Sequence, residues 1–274
     1  MEYILENEVA YLKISTKAAE ITSFINKANA KEYMWQGNPK FWSGRNPILF
    51  PQVGNMWKKS YEAKGKTYKM GNHGFARHSE FTLVSQNDNQ IILELKDNED
   101  TYNEYPYHFN LKVSYTLVGL RLNIDYQITN LDEDVMPFGF GLHPAFNCPI
   151  DNTENYEDYH IKFDQKEEHE LVQGDILPLT RDLFIKSPTV LLKGHNSNEV
   201  TLTNNKHSLK VGVKDFDILA IWTPSDAPFV CIEPWMSIGD TKESHIDFEK
   251  REYMLRLNPN CKYNKGYFIE IIGE

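Results

Sequence analysis

The sequence predicts an all-β fold made of antiparallel strands, and two observations lead to this prediction. First, apolar and polar residues alternate in several stretches with a period of two, which is typical of strands with one buried face. Second, several of these stretches follow one another across short connections that contain Gly or Asn, residues that tolerate the positive φ of tight turns. Consecutive strands joined in this way run antiparallel.

The clearest hairpin spans residues 110–130 (NLKVSYTLVGLRLNIDYQITN). Alternate residues are apolar from position 111 to 117, and the alternation resumes from position 120 to 128. Gly119 stands between the two runs and permits the chain to turn. We therefore expect two long, paired strands that share one apolar face.

Weaker alternation predicts further strands, and two other segments are less regular. Residues 17–30 fit a helix by their Ala content and a strand by their β-branched residues, so both remain open. Residues 151–170 are acidic and polar, and we expect them to form a long excursion on the surface. The weaker strand-like segments are 3–14 with a turn at Glu6-Asn7, 91–95, 200–213 with a turn at Asn204-Asn205, and 267–272.

Length and composition are compatible with a single domain over residues 1–274. Hydrophobic residues make up 41% of the chain and charged residues 25%, which is ordinary for a globular protein with a sizeable core. No Pro-, Ser- or Gly-rich stretch divides the chain. The formal net charge of −10 and the lack of a basic stripe argue against a nucleic-acid partner.

The predicted compartment is the cytoplasm. The first residues include several glutamates, whereas a signal peptide begins with basic residues and an unbroken apolar run. No run of about eighteen apolar residues is long enough to span a bilayer, so no membrane partner is expected. Cysteines are odd in number, widely spaced and without a CxxC pair, which predicts reduced thiols at Cys148, Cys231 and Cys261.

Four segments mix Gly, Pro and aromatic residues with one or two ionisable groups. Such a composition suits a sugar site, where aromatic faces stack on C–H surfaces and polar groups fix hydroxyls. The four segments are 42–54 (WSGRNPILFPQVG), 71–81 (GNHGFARHSEF), 138–149 (FGFGLHPAFNCP) and 220–239 (AIWTPSDAPFVCIEPWMSIG).

His143 and Glu233 are the candidate catalytic residues of these segments. Glu233 follows the apolar run 229–232, where an ionised carboxylate is costly unless it is paired or used. A histidine can both donate and accept a proton near neutral pH, and a nearby carboxylate supplies the complementary base. The sequence contains no HExxH array, P-loop, GxGxxG or GxSxG motif, so neither a metal, a cofactor nor a nucleophilic serine is predicted.

In these four ordered motifs the chain resembles the aldose 1-epimerase (galactose mutarotase-like) family, and within it the bacterial branch associated with lactose-operon genes. The resemblance implies a large antiparallel β-supersandwich with a sugar, an aldohexose or its phosphate, in a cleft on one broad sheet. It implies that His143, in the LHP motif, is the general acid toward the ring oxygen. It also implies that Glu233, in the CIEPW motif, is the base toward the anomeric hydroxyl.

The resemblance extends to the substrate-binding residues. Arg45 and His73 match substrate-contacting positions, and Arg77 matches an arginine of the branch with the GFAR form. Trp222, in the AIWTP stretch, is expected to line the cleft. The family also uses an aspartate between the His and Glu motifs, for which Asp175, Asp182 and Asp217 all remain open. The assembly is predicted to be a monomer or a homodimer.

Three other functions remain as alternatives. Arg45 and Arg77, together with Lys58 and Lys59 after Trp57, also fit a mutarotase for hexose 6-phosphates, because two arginines can grip a phosphate. A non-catalytic carbohydrate-binding or sensing protein could share the fold. A glycoside hydrolase would need a second carboxylate beside Glu233, and the nearby candidates, Asp240 and Glu243, lie in what reads as an exposed loop.

Overall fold

A computed structural model describes residues 1–224, 226–240 and 247–273, and strands dominate these ranges. The two α-helices have six residues each, α1 (Glu99–Glu104) and α2 (Arg181–Lys186). No helix in the described ranges is long and apolar enough to cross a membrane. The strands are β1 (Glu2–Glu6), β2 (Ala10–Ser15), β3 (Ile21–Asn26), β4 (Lys31–Glu32), β5 (Ile48–Leu49), β6 (Ser60–Ala63), β7 (Lys66–Lys69), β8 (Thr82–Gln86), β9 (Gln90–Lys96), β10 (Phe109–Val118), β11 (Arg121–Asn130), β12 (Met136–Phe138), β13 (Gly141–Leu142), β14 (Ala145–Asn147), β15 (His160–Phe163), β16 (Ile176–Pro178), β17 (Thr189–Lys193), β18 (Glu199–Thr203), β19 (Ser208–Gly212), β20 (Ile218–Trp222), β21 (Phe229–Trp235), β22 (Leu255–Leu257) and β23 (Lys262–Ile272).

The strands form two large sheets and three smaller ones. A nine-stranded sheet has the order β16-β15-β18-β19-β23-β11-β10-β9-β8, and a six-stranded sheet has the order β17-β20-β21-β13-β5 with β14 also paired to β21. A four-stranded sheet has the order β1-β2-β3-β4, and the pairs β6–β7 and β12–β22 stand apart. All strand pairs in these sheets are antiparallel, which confirms the predicted fold class.

The predicted hairpin of residues 110–130 is confirmed as β10 and β11, which lie between β23 and β9 in the nine-stranded sheet. Leu111 lies opposite Ile128, and Val113 lies opposite Tyr126. These side chains are buried in the main hydrophobic core, because the alternation places every second residue on one face. Gly119 takes a positive φ of 59° at the turn, a conformation that costs a glycine nothing.

Two segments with ambiguous patterns are now resolved. Within residues 17–30 the chain forms strand β3, because the β-branched residues at its centre pack between β2 and β4. The expectation that residues 151–170 form a surface excursion is wrong for residues 160–163. There β15 pairs with β16 and β18, and the side chains of Ile161 and Phe163 enter the core.

The six-stranded sheet has one face toward the core and one face that bears polar residues. Ile221 on β20 and Ile232 on β21 point into the main core. Their neighbours on the opposite face are Trp222, Cys231 and Glu233, since alternate residues of a strand face opposite sides. All seven residues of β21 are buried. Glu233 therefore lies in the interior although its side chain is ionisable.

Candidate active site

A cavity of about 460 Å³ opens on the polar-bearing face of the six-stranded sheet. Five of the residues predicted to act or to bind sugar line it, namely His73, Arg77, His143, Trp222 and Glu233. Six further residues line it that sequence reasoning did not single out, namely Trp42, Gly54, Asn55, Asn72, Thr189 and Trp235. The structure therefore brings together side chains that are up to about two hundred positions apart in the sequence.

Strand register places His143 opposite Glu233. Gly141 on β13 lies opposite Trp235, and Ala145 on β14 lies opposite Cys231, so both strands share one register with β21. His143 stands between β13 and β14, two residues from each of these positions, and so faces Glu233. Side chains directly opposite each other on one face are close enough to touch. His143 and Glu233 are thus a cross-strand pair.

His143 and Glu233 are in contact and shielded from water. His143 Nε2 lies 3.1 Å from Glu233 Oε2, and the two side chains are 8% and 1% exposed. The contact does not have hydrogen-bond geometry, and Glu233 Oε2 has no hydrogen-bond partner among the described residues. Either atom can therefore turn its proton or lone pair toward a ligand in the cavity.

Burial disfavours charge on both members of this pair. It raises the pKa of Glu233 well above its usual range, and the indole N–H of Trp235 and the charge of Arg77 oppose that rise. Burial also lowers the pKa of His143 well below its usual range, and the neighbouring His73 and Arg77 lower it further. Burial therefore favours the uncharged carboxyl of Glu233 beside the uncharged imidazole of His143.

His73 is held as a neutral hydrogen-bond donor. Its backbone N–H donates to the carbonyl of Gly54 at 3.0 Å, and the Gly54 N–H donates to His73 Nδ1 at 3.0 Å. Because Nδ1 accepts a hydrogen bond, the ring proton must lie on Nε2. Burial, assisted by the charge of Arg77, lowers the pKa of His73 to about 3. His73 also has a positive φ of 64°, a strained conformation of the kind that clusters at functional sites.

Three tryptophans shape the cavity. Trp42 stacks on the ring of His143 with centroids 4.7 Å apart, and Trp222 meets the same ring edge-on at 5.4 Å. Trp235 packs over Gly141, where a Cβ atom would lie 2.8 Å from its ring. Trp235 Nε1 is buried and makes no hydrogen bond of good geometry among the described residues, although it lies near enough to Glu233 to oppose the rise of that residue's pKa. The cavity therefore offers apolar ring faces together with a polar N–H group, as a sugar requires.

The two predicted arginines occupy different places. Arg77 lines the cavity and acts electrostatically on both Glu20 and Glu233. Arg45 does not line it: its guanidinium lies 3.9 Å from Glu20, whose carboxylate also accepts the N–H groups of Arg45 and Asn46. Glu20 is a buried carboxylate that sequence reasoning missed, because it lies in a segment whose secondary structure was itself ambiguous.

The remaining acidic and basic candidates lie outside the cavity lining. Asp182 and Asp217 are exposed, Asp175 is part-buried, and none of the three lines the cavity. Lys58 and Lys59 are exposed in a single 3₁₀ turn and do not line it either. Asp240, expected on an exposed loop, is instead part-buried and paired with Arg251. Glu243 lies outside the described residues.

One further side chain, Cys231, lies beside His143 and Glu233. The ligand atoms of His143, Cys231 and Glu233 all lie within 4.8 Å of one another, and all three residues are buried. Cys231 and Glu233 are two positions apart on β21, so they share a face. Local sequence patterns do not reveal this cluster, because His143 reaches it from the connection between β13 and β14.

A second, larger cavity of about 580 Å³ lies away from these residues. It lies beside Lys64, and its lining also includes Glu62, Asp134, Asp247 and Glu249. Lys64 is already paired with Asp132 and Asp134. The described residues that line it include no histidine, so this cavity offers no acid–base pair comparable to His143 and Glu233.

Comparison with known proteins identifies the family. Residues 1–259 match the aldose 1-epimerase family. The chain belongs to the aldose 1-epimerase family. A relative in the family, the chromosomal protein LacX of Lactococcus lactis subsp. lactis, is 32% identical over 299 residues, which cover 98% of this chain and 99% of that protein. The resemblance predicted from the four motifs is thereby confirmed.

Solved structures of galactose mutarotase-like proteins share the fold. A galactose mutarotase related enzyme from Lactobacillus acidophilus is 32% identical and superposes with a TM-score of 0.91, covering 100% of this chain and 98% of that one. A galactose mutarotase-like protein from Lactobacillus casei is 28% identical with a TM-score of 0.92, covering 99% of this chain and 100% of that one. The galactose mutarotase-like architecture predicted by the resemblance is therefore confirmed.

Proposed function

We propose that this protein is an aldose 1-epimerase that interconverts the α and β anomers of an unphosphorylated aldohexose. The observation that supports this most is the buried contact of His143 Nε2 and Glu233 Oε2 at 3.1 Å in a cavity lined by tryptophans. The two oxygens of a cyclic hemiacetal are attached to one carbon atom. A proton donor and a proton acceptor that serve them must therefore stand side by side, as these two groups do.

The reaction needs one proton to leave the anomeric hydroxyl and one to reach the ring oxygen. Glu233, as carboxylate, takes the proton from the hydroxyl while protonated His143 gives one to the ring oxygen, and the hemiacetal opens to the aldehyde. Rotation about the C1–C2 bond presents the other carbonyl face, and reclosure runs the transfers backwards. Both groups return to their starting states, so the cycle consumes no net proton.

The protonation states fit this cycle because the pair carries a single exchangeable proton. Burial favours the uncharged forms of both groups, and moving the proton from Glu233 to His143 across the 3.1 Å contact creates the reactive carboxylate and imidazolium together. Arg77 lowers the pKa of Glu233 and so favours its carboxylate form. His73, as a neutral Nε2–H donor, and Arg77 can stabilise negative charge that develops on oxygen as the ring opens.

An unphosphorylated sugar is favoured by the charges of the cavity. Arg77 is the one cationic side chain among the described lining residues, and its charge acts on Glu233. Arg45, Lys58 and Lys59, which the phosphate alternative requires, do not line the cavity.

We also propose a cytoplasmic location, since Cys148, Cys231 and Cys261 are all free thiols.

Polarimetry on freshly dissolved α-glucose and α-galactose tests the proposal. The wild-type protein should accelerate the approach to anomeric equilibrium, and His143→Ala and Glu233→Ala should each slow it about 10²–10⁴-fold, the usual worth of one general acid or base. His78→Ala, an exposed histidine beside Arg77, is the matched control and should keep wild-type activity.

Each alternative function has its own outcome in this experiment. Equal rates for wild type, His143→Ala and Glu233→Ala, after subtraction of the spontaneous reaction, would reject catalysis by the pair. If none of the three accelerated the reaction, a carbohydrate-binding protein would be left. A large preference for glucose 6-phosphate or galactose 6-phosphate over the free sugars would reject the unphosphorylated substrate while leaving the catalytic pair in place.

A further inference from the structure

We propose that His143, Cys231 and Glu233 form a binding site for a thiophilic divalent cation such as Zn²⁺, and that the bound cation blocks the reaction. The activity part of this inference rests on the proposed function, whereas the binding part stands on the geometry of the three side chains. No metal is needed for the acid–base cycle, so the cation would act as an inhibitor of the enzyme.

The three ligand atoms are already gathered. They lie within 4.8 Å of one another, and the imidazole and carboxylate atoms are 3.1 Å apart. Zinc binds nitrogen and oxygen at about 2.0–2.2 Å and sulfur at about 2.3 Å, so ligand atoms at tetrahedral corners lie roughly 3.4–3.7 Å apart. Rotamer changes that move these atoms by about an ångström would complete three corners of the tetrahedron.

Two members of the cluster carry unused binding capacity. Glu233 Oε2 has no hydrogen-bond partner among the described residues although its side chain is almost wholly buried. Cys231 is a free, buried thiol in a small hydrophobic cluster against which Trp42 and Trp222 pack. A buried group without a partner gains most from a ligand that satisfies it, because it has already lost its contacts with water.

The charges and the chemistry of the ligands favour zinc over magnesium or calcium. A divalent cation that displaces the protons of Cys231 and Glu233, which leave to water, binds one thiolate, one carboxylate and one neutral imidazole. The resulting site is neutral, which a buried location tolerates better than a net charge. Thiolate and imidazole are ligands of zinc and its neighbours, whereas magnesium and calcium prefer oxygen. Arg77 acts electrostatically on Glu233 and opposes cation binding, so it limits the affinity.

The open cavity supplies both an entrance and a fourth ligand. His143 and Glu233 line the cavity, and Cys231, which does not itself line it, shares the strand face of Glu233. A cation that enters from the cavity would therefore keep one position for water or a sugar hydroxyl, as zinc sites with three protein ligands do. The cation would occupy the His143 nitrogen and the Glu233 oxygen that the reaction needs, and proton transfer would stop.

Binding is tested with Co²⁺ as a spectroscopic substitute for Zn²⁺ on tag-free protein. A cobalt ion bound to a thiolate gives a sulfur-to-metal charge-transfer band in the near ultraviolet, and added Zn²⁺ should remove it. Wild type, Cys148→Ser and Cys261→Ser should all show the band, and Cys231→Ser should not. Cys148→Ser is the matched control, because Cys148 is a buried thiol of the same chain.

Inhibition is measured in the same variants as the ratio of rates with and without Zn²⁺, each variant against itself. Loss of the thiol ligand should raise the Zn²⁺ concentration for half-inhibition at least 10-fold. Losing a residue that only hydrogen-bonds a metal ligand already costs about 10–100-fold in affinity, so losing the ligand itself should cost no less. If Cys231→Ser does not fold, Cys231→Ala serves as the ligand deletion in both measurements, and His143→Gln serves in the cobalt measurement only, because it lacks the imidazole that the reaction needs.

Three results would overturn the inference. They are a wild-type protein without the thiolate band, a band lost in Cys261→Ser and kept in Cys231→Ser, and equal Zn²⁺ inhibition of wild type and Cys231→Ser. Failure of the proposed function looks different: metal-free wild type would not accelerate anomerisation, while the cobalt spectrum would still decide the metal site.

Discussion

Replacing His73 by asparagine should remove part of the protein's sensitivity to acid. Asparagine has a side-chain oxygen close to the position of Nδ1 and tolerates positive φ, so it can still accept the N–H of Gly54. What it lacks is the titratable ring. In the wild type, His73 has a pKa of about 3, whereas its unperturbed value is 6.5. The unfolded chain therefore binds a proton at His73 between these pH values and the folded chain does not.

The size of the effect follows from this difference. Above pH 6.5 the group contributes no pH dependence, and below that value stability falls by about 1.36 kcal/mol per pH unit until pH 3. Between pH 7 and pH 5, His73 alone should therefore cost the wild type about 2 kcal/mol of unfolding free energy. Urea denaturation at both pH values measures this loss, and His73→Asn should lose about 2 kcal/mol less than wild type. Equal losses in the two proteins would refute the assignment of His73 as a buried neutral histidine.

Three other substitutions test separate features of the site. Glu233→Gln should become more stable relative to wild type as the pH rises above 4.5, because the wild-type carboxyl loses its proton in the unfolded chain but keeps it in the folded one. Chemical denaturation from pH 4 to 8 measures this difference in stability, and a difference that does not change with pH would contradict it. Arg77→Gln should lower kcat/KM for the sugar roughly 10²-fold, the usual cost of removing one donor to a developing oxyanion, and an unchanged value would exclude Arg77 from that role. Gly141→Ala should lower the unfolding free energy by about 1–3 kcal/mol, because the added Cβ would lie 2.8 Å from the Trp235 ring. Urea titrations measure this change, and unchanged stability would show that the ring can move away.

The fold could be predicted from the sequence where alternation and turn residues agreed. The β10–β11 hairpin has ten alternating residues on each side of Gly119, and its register follows from them. Strand β15 was missed, because its four residues carry only two buried side chains in a strongly acidic neighbourhood. Its place in the sheet depends on β16 and β18, which are distant in sequence and which local patterns do not reveal.

The candidate site was predictable only in part, for a related reason. The apolar run before Glu233 marked this residue as unusual, but its partnership with His143 depends on the register shared by β13, β14 and β21. Thr189 lines the cavity because β17 pairs with β20, and nothing in its own neighbourhood signals this. Arg45 shows the reverse case, since its motif suggested sugar contact whereas its side chain lies against Glu20.

The central claim is that His143 and Glu233 act as one unit in anomer interconversion. Saturation-transfer NMR between the anomeric protons of equilibrated glucose measures the exchange rate for wild type, His143→Asn, Glu233→Gln and the double variant. We predict that each single substitution lowers the catalysed rate about 10²–10⁴-fold and that the double variant is no slower than the slower single one, because residues that act as a unit are not additive. Single variants that keep the wild-type rate, or a double variant whose loss is the product of the two single losses, would contradict the account.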